Sequence, residues 1–282
     1  DFLVAQIRMT RNAKLFLVFA DIWTLAKLFQ VERMHRASSG DDGAGVEFDD
    51  DDDLKWIYEN QQHMMDPEKY VHSAELYAIW NLKTYITFRA SLDAHNLFKS
   101  NYFLYTDIGS FRRDDDAFKK WPDVDFTVST LSNLDNKILY GKVVADTLFF
   151  NPFDSLQNSI GGGLLAGSKR ALFFYFIQFY RVHDKLMKSR RFVGKDQKLM
   201  NIIDYKLSEG TCRLWLDDES EKEMRRCVGN HYDPWLAYQY YFSSSSSSSS
   251  SLDQRLESEE DINNKYKSIT KNNNRTKTTT TT

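Results

Sequence analysis

The chain has 282 residues, of which 41% are hydrophobic and 15% aromatic, enough for one large domain or two small ones. Its two cysteines, Cys212 and Cys227, exclude a disulfide-rich scaffold and a zinc framework of cysteines. They fit a reducing compartment without deciding between the cytoplasm and the lumen of the secretory pathway. The formal net charge is −3 and no apolar run reaches the roughly 20 residues of a membrane span, so neither a nucleic-acid partner nor a spanning helix is expected.

Two stretches have a composition that is too polar to fold. Residues 38–53 form an acidic insertion, with eight acids between residues 40 and 53 and no lysine or arginine. Residues 243–282 begin with nine serines and end in a threonine-rich tail. Such segments bury too little apolar surface to offset the entropy lost on ordering, so both are predicted to be disordered. The remaining body is mildly basic, which suits an anionic small ligand such as a nucleotide.

Strand-like and helix-like segments alternate along the body, which is predicted to be one domain over residues 1–242. Strands are expected over residues 14–20, 84–90, 101–106, 143–150, 159–167 and 211–216. Helices are expected over residues 22–34, 73–83, 169–191 and 195–207, the third capped by Ser168. Strands that alternate with helices are typical of a parallel sheet covered by helices. The predicted fold class is therefore α/β, a single GT-A-like domain with a mostly parallel central sheet flanked by helices.

The stretch "NYFLYTDIGSFRR", residues 101–113, places a carboxylate directly after a predicted strand. In open α/β sheets, ligands bind just beyond the carboxyl ends of the strands. Asp107 is therefore a candidate ligand for a metal ion or a diphosphate, Gly109 loosens the backbone, and Arg112 is placed to pair with phosphate. A turn or helix-capping aspartate is the alternative interpretation.

Two further stretches carry candidate site residues. "GGGLLAG" lacks the spacing of a phosphate-binding loop, so Gly161, Gly162 and Gly163 more simply allow close approach to a ligand or to another strand. "GKDQKLMN" places Asp196 and Gln197 in the first turn of a helix. Asp196 is either a general base or an acid that interacts favourably with the helix dipole.

The stretch "GNHYDPW" places His231 between a glycine-asparagine turn and Asp233-Pro234, with Trp235 following. A neutral histidine is a common ligand of divalent metals, and a fixed loop would hold it in place. A structural histidine is the alternative interpretation.

The order of these motifs resembles the HtrL/YibB family, which is thought to be glycosyltransferase-like. The resemblance covers roughly Asp66 to Phe242 and rests on "ELYAIWNLK", "TDIGSFR", "WP", the glycine-rich strand, "GKDQ" and "YDPW". More distantly, the series resembles GT-A glycosyltransferases of the glycogenin type.

The resemblance implies a role for each motif. Asp107 and His231 would bind Mn²⁺ or Mg²⁺ at the donor diphosphate, and Gly161–Gly163 would line the sugar site. Asp196 would be the catalytic base or would hold the acceptor, with Gln197 and Trp235 in the sugar or acceptor pocket. Gly109 stands where the family pattern has a second acid. The resemblance also implies that the chain starts just before the second strand of that fold, so an N-terminal strand is expected to be missing.

The expected function is transfer of a sugar from a nucleotide-sugar donor to a carbohydrate or glycoconjugate acceptor. The alternative is a relative that binds a carbohydrate or nucleotide without turnover. A third interpretation, an interaction protein that uses its polar arms, has only those arms to support it.

Overall fold

The structure is a computed structural model. It describes residues 3–10, 13–19, 23, 54–96, 98–107, 121–134, 136–144, 151, 158–207, 210–214, 235, 237–243 and 256–257. The chain divides into two compact units, the first comprising Asp1–Tyr85 and His183–Lys195 and the second Ile86–Val182 and Asp196–Thr282. One domain over residues 1–242 had been expected. The predicted boundaries of that domain stay a prediction.

The strands are β1 (Leu3–Thr10), β2 (Ala13–Phe19), β3 (Tyr102–Thr106), β4 (Ile138–Lys142), β5 (Ile160–Ser168), β6 (Thr211–Leu214) and β7 (Leu256–Glu257). The helices are α1 (Leu54–Ile57), a π-helical turn (Tyr58–Gln62), α2 (His63–Met65), α3 (Ala74–Ser91), α4 (Val124–Asn133), α5 (Lys169–Lys188), α6 (Asp196–Lys206) and α7 (Ala237–Tyr241). Among these described helices, none is long and apolar enough to cross a membrane.

The prediction of a mostly parallel central sheet is wrong. The larger sheet has the order β3-β5-β4-β6-β7. In it, β5 lies between β3 and β4 and is antiparallel to both. Among the described strands, only β4 and β6 run parallel. Parallel strands need crossover connections, usually through a helix. The predicted alternation of strands and helices implied such connections, but one of the predicted strands is part of a helix.

That missing strand is the segment 84–90, which belongs to helix α3. Its alternating appearance was misleading, because the buried residues Thr84, Thr87, Phe88 and Ser91 follow the three- and four-residue spacing of a helix face. Ile86, which a strand would place on the same face as Thr84 and Phe88, is 49% exposed.

Several other predicted elements are present. The strand predicted over 14–20 is β2, which pairs antiparallel with β1 from Leu3↔Phe19 to Thr10↔Ala13. Ser168 caps α5 as expected, because its Oγ accepts a hydrogen bond from the backbone N–H of Ala171 at 3.2 Å.

Helix α4 had not been predicted, although Asp123 caps it by accepting from the N–H of Phe126 at 3.0 Å. Three predicted segments lie outside the described residues. They are the helix over 22–34 except for residue 23, the acidic insertion 38–53, and most of the strand over 143–150. So does nearly all of the tail 243–282.

The core of the second unit lies between its sheet and three helices. On α5, the aromatic ring of Phe176 stacks on Phe88 with centroids 4.4 Å apart. Another cluster joins α4 and α7 to β4 and β5 through buried residues, namely Leu131, Leu134, Leu139, Leu164, Ala166, Tyr238, Tyr241 and Phe242. Each fully buried large side chain contributes about 1.5–3 kcal/mol, so this packing fixes β5 firmly beneath α7.

Candidate functional site

The glycine-rich strand β5 has an irregular register at its centre. Leu165 pairs with Tyr140 of β4, and the next residue of β4, Gly141, pairs with Gly161. Residues 162–164 therefore lie opposite no residue of β4. Such irregularities bend a strand and change the direction of nearby side chains, and they are common beside active sites.

The three glycines of β5 allow three different side chains to approach the backbone. A Cβ atom at Gly161 would lie 2.9 Å from Val143 Cγ1, one at Gly162 would lie 3.1 Å from Asp196 Oδ2, and one at Gly163 would lie 3.0 Å from the Tyr238 hydroxyl oxygen. Side chains therefore approach the backbone at all three glycines, and the atoms that approach Gly162 are those of a candidate site residue.

Asp107 directly follows β3 and lies beside the same stretch of β5. Its backbone N–H donates to the carbonyl oxygen of Gly163 at 3.3 Å. Its carboxylate accepts a short hydrogen bond from the hydroxyl of Tyr105. The preceding residue, Thr106, shares a hydrogen bond of 3.0 Å with the hydroxyl of Tyr238. The end of β3 thus presents a part-exposed carboxylate among hydroxyl groups.

Asp196 is the first residue of α6 and is buried. One oxygen of its carboxylate accepts from the backbone N–H of Gln197 at 2.8 Å, so the acid lies in the first turn of the helix, where the alternative interpretation placed it. Further along α6, the side chain of Asn201 accepts from the N–H of Ile160 at 3.1 Å and from Ser159 Oγ at 3.2 Å. These bonds attach α6 to the start of β5 and so hold Asp196 against Gly162.

Tyr105 connects the two aspartates electrostatically. Burial raises the pKa of its hydroxyl well above the usual range, and the neighbouring Asp107, Asp196 and Tyr238 raise that pKa further. The hydroxyl therefore stays protonated and acts as a donor. We call Asp107 and Asp196 the carboxylate pair; 88 residues separate them in sequence, and both lie close enough to influence one phenol.

The remaining predicted residues divide into two sets. Gln197 lies beside Gly162, its Cγ 3.3 Å from where a Cβ of that residue would be, and Trp235 lies 3.5 Å from the corresponding position of Gly161. Trp235 is 37% exposed. Gly109, Arg112 and His231 lie outside the described residues, so their predicted roles stay predictions.

The first unit contains a second cluster of polar residues, which was not predicted from the sequence. Asp66, Glu68 and His72, here called the loop triad, each offer one ligand atom, and these atoms lie within 4.8 Å of one another. This loop could therefore hold a metal ion, and its residues are not the predicted ligands Asp107 and His231. The only signal in the sequence is the spacing of the three residues in "DPEKYVH", which resembles many polar loops.

Asp66 organises the loop triad. Its Oδ2 accepts from the hydroxyl of Tyr77 at 2.7 Å and bonds Nδ1 of His72 at 2.7 Å, and its Oδ1 accepts from the N–H of Glu68 at 2.8 Å. Burial acts to raise the pKa of Asp66, but the hydrogen bonds together outweigh burial and hold that pKa below its usual value. Burial, and then the hydrogen bond to Asp66, raise the pKa of Tyr77 above its usual range.

Glu68 and Lys195 complete this neighbourhood. The ammonium of Lys195 donates a short, charge-assisted hydrogen bond to the carboxylate of Glu68. The side chain of Lys195 is 8% exposed and that of Glu68 is 46% exposed, so the lysine is packed against the protein while about half of the glutamate faces solvent.

No protein-family model, curated protein or solved structure matches this chain. The resemblance to the HtrL/YibB family therefore stays a prediction, and function has to be argued from the two polar groups themselves.

Proposed function

We propose that this chain transfers a sugar from a nucleotide-sugar donor to a carbohydrate or glycoconjugate acceptor at the carboxylate pair. The single observation that carries the proposal is the meeting of Asp107, Asp196 and Tyr105 beside Gly162 and Gly163. Function resides in such a group of residues rather than in a fold, so the antiparallel sheet does not argue against it.

The chemistry needs a carboxylate that can accept a proton from the acceptor. In the transfer, the bond between the sugar and the diphosphate oxygen breaks and a bond to the acceptor oxygen forms, while the proton of the acceptor hydroxyl passes to a base. Asp196 would be that base, because its carboxylate is buried and is held in place by its own helix. Gln197 and the hydroxyls of Thr106 and Tyr238 are suited to bond sugar hydroxyls.

The partly exposed Asp107 would face the donor diphosphate. Carboxylate oxygen is a ligand that Mn²⁺ and Mg²⁺ prefer, so its donor type fits such an ion, and His231 would be the second ligand. A bound divalent ion would stabilise the negative charge of the departing diphosphate. Tyr105, which already donates to Asp107, would hold that carboxylate in one orientation.

A second candidate function is binding of a carbohydrate or nucleotide without turnover. Gly109 favours it, because the family pattern that the sequence resembles has an acid at that position, and a single carboxylate holds a divalent ion weakly.

The test is thermal unfolding of the full chain with a panel of nucleotide sugars, with and without Mn²⁺, followed by an assay for free nucleotide diphosphate. We expect one donor to raise the melting temperature and release its diphosphate when an acceptor is added. Asp107→Asn should abolish the shift and Asp196→Asn should abolish release while keeping the shift. Asp125→Asn, a change in the exposed first turn of α4, is the matched control. A shift without release would support the second candidate, and no shift with any donor would contradict both.

A further inference from the structure

The loop triad holds its histidine in a defined orientation. Nδ1 of His72 bonds Oδ2 of Asp66, and the ring lies edge-on to Trp80 with centroids 5.0 Å apart. Among the described residues none is hydrogen-bonded to Nε2 of His72. For Nδ1 to bind a metal, its proton has to move to Nε2, which replaces the hydrogen bond to Asp66 by a bond to the metal and breaks no hydrogen bond at Nε2.

A cation already lies at the edge of this group. The ammonium of Lys195 sits against Glu68 although its side chain is only 8% exposed, and burying an ammonium is costly without a paired anion. The position therefore stabilises positive charge. It differs from an ordinary surface ion pair, such as Lys55 and Glu59, whose side chains are 47% and 41% exposed.

We propose that Asp66, Glu68 and Nδ1 of His72 bind a divalent transition metal of the Zn²⁺ class, and that Lys195 is the internal cation that this metal displaces from Glu68. The ligand atoms lie within 4.8 Å of one another, and zinc binds oxygen and nitrogen at about 2.0–2.2 Å, so Glu68 has to move inward. It is the most exposed of the three and can do so once it leaves Lys195.

The supporting shell and the ligand types favour zinc over magnesium or calcium. The Tyr77 hydroxyl and the Glu68 N–H both donate to Asp66 and would keep that carboxylate oriented. One imidazole nitrogen with two carboxylates is a set that transition metals accept, whereas Mg²⁺ and Ca²⁺ prefer oxygen ligands alone. This site belongs to the first unit and is independent of the proposed sugar transfer.

The experiment is calorimetric titration of the full chain with Zn²⁺ in a buffer that contains a competing chelator. We expect one Zn²⁺ per chain and no heat from Mg²⁺ at the same concentration. Glu68→Gln should weaken Zn²⁺ binding by about tenfold or more, because the loss of a direct ligand costs at least as much affinity as the loss of an outer-shell partner. Glu59→Gln removes an equally exposed glutamate from a lysine pair and should leave Zn²⁺ binding unchanged.

Lys195→Met tests the displacement itself. Without the competing ammonium, Zn²⁺ should bind about tenfold more tightly, although the variant is less stable, because Zn²⁺ no longer has to break an ion pair. The melting temperature measured with and without Zn²⁺ gives this comparison for a destabilised variant as well. Absence of stoichiometric Zn²⁺ binding, or equal affinity in wild type, Glu68→Gln and Lys195→Met, would overturn the proposal. None of these outcomes depends on a nucleotide sugar.

Discussion

The carboxylate pair and the loop triad each join an aspartate to a tyrosine hydroxyl, but they are assembled in different ways. Asp66, His72 and Tyr77 come from one short stretch of chain, and the carboxylate of Asp66 already accepts from two donors besides bonding His72. The carboxylate pair comes from two distant segments that meet at the glycines of β5.

The comparison shows two ways of positioning a carboxylate. At the loop triad, hydrogen bonds hold the carboxylate of Asp66. The side chain of the neighbouring Glu68 is about half-exposed and is paired with Lys195. At the carboxylate pair, hydrogen bonds along α6 hold Asp196, and the glycine at position 162 lets its carboxylate oxygens lie 3.1 Å and 3.2 Å from where a Cβ would be. We therefore expect Asp66 to matter for stability and the carboxylate pair to matter for binding.

The largest expected effect on stability is that of Asp66→Asn. An amide cannot replace a carboxylate that bonds three groups, so at least one buried partner is left unpaired, at a cost of about 2–3 kcal/mol in the free energy of unfolding. Asp107→Asn should cost less than about 1 kcal/mol and yet abolish donor binding. Chemical denaturation measures the free energy of unfolding of both variants. Equal destabilisation by the two substitutions would contradict the proposed difference between the loop triad and the carboxylate pair.

The second test concerns glycine. In Gly162→Ala the new Cβ would lie 3.1 Å and 3.2 Å from the oxygens of Asp196, so the carboxylate has to move and donor affinity should fall, with a loss of about 1 kcal/mol in stability. Gly141→Ala is the matched control in the neighbouring strand, because its Cβ would meet atoms only at 3.8 Å and 3.9 Å. Loss of binding in Gly141→Ala would contradict the steric argument.

The third test uses acid. The pKa of Asp66 is lower in the folded chain than in the unfolded chain, where it is about 3.9, so its ionised form stabilises the fold above that pH. This stabilisation is lost as the pH falls below about 4 and the carboxyl is protonated. The difference in free energy of unfolding between wild type and Asp66→Asn should therefore be constant near neutral pH and shrink in acid. A difference that grows in acid would contradict this assignment.

The smallest expected effect concerns Tyr105. Burial first, and then Asp107 and Asp196, raise the pKa of its hydroxyl, so its contribution to stability is complete below about pH 10 and is lost only as the pH rises further. In an alkaline absorbance titration, folded wild type and Tyr105→Phe should therefore show the same number of ionising tyrosines. In denaturant, wild type should show one more. A difference of one in the folded proteins would place Tyr105 away from the two carboxylates.

Local features of the fold could be predicted from the sequence. The cap at Ser168, the long aromatic helix α5 and the glycine-rich strand β5 each have a strong signal within a few residues. The direction of the strands could not be predicted, because it depends on which distant segments pair. The helix over 84–90 could not be predicted either, because threonine and aromatic residues favour strands unless tertiary packing overrides that preference.

The same distinction holds for the candidate sites. Asp107 could be selected because it directly follows an apolar strand, Gly162 because it lies in a run of three glycines, and Asp196 because it lies in the first turn of a predicted helix. The loop triad could not be selected, since an aspartate, a glutamate and a histidine in a polar loop are ordinary until the buried Tyr77 and Lys195 are seen beside them.

The order of the strands also bears on how the chain assembles during synthesis. Among the described strands, β3 is bonded only to β5, which lies more than fifty residues later in the chain. At a translation rate of about 5–20 residues per second, β3 waits several seconds for its partner to leave the ribosome. Asp107 and Gly163 come together only at that point, so ribosome-bound chains that stop before β5 should expose β3 to proteases, and chains that include β5 and α6 should protect it.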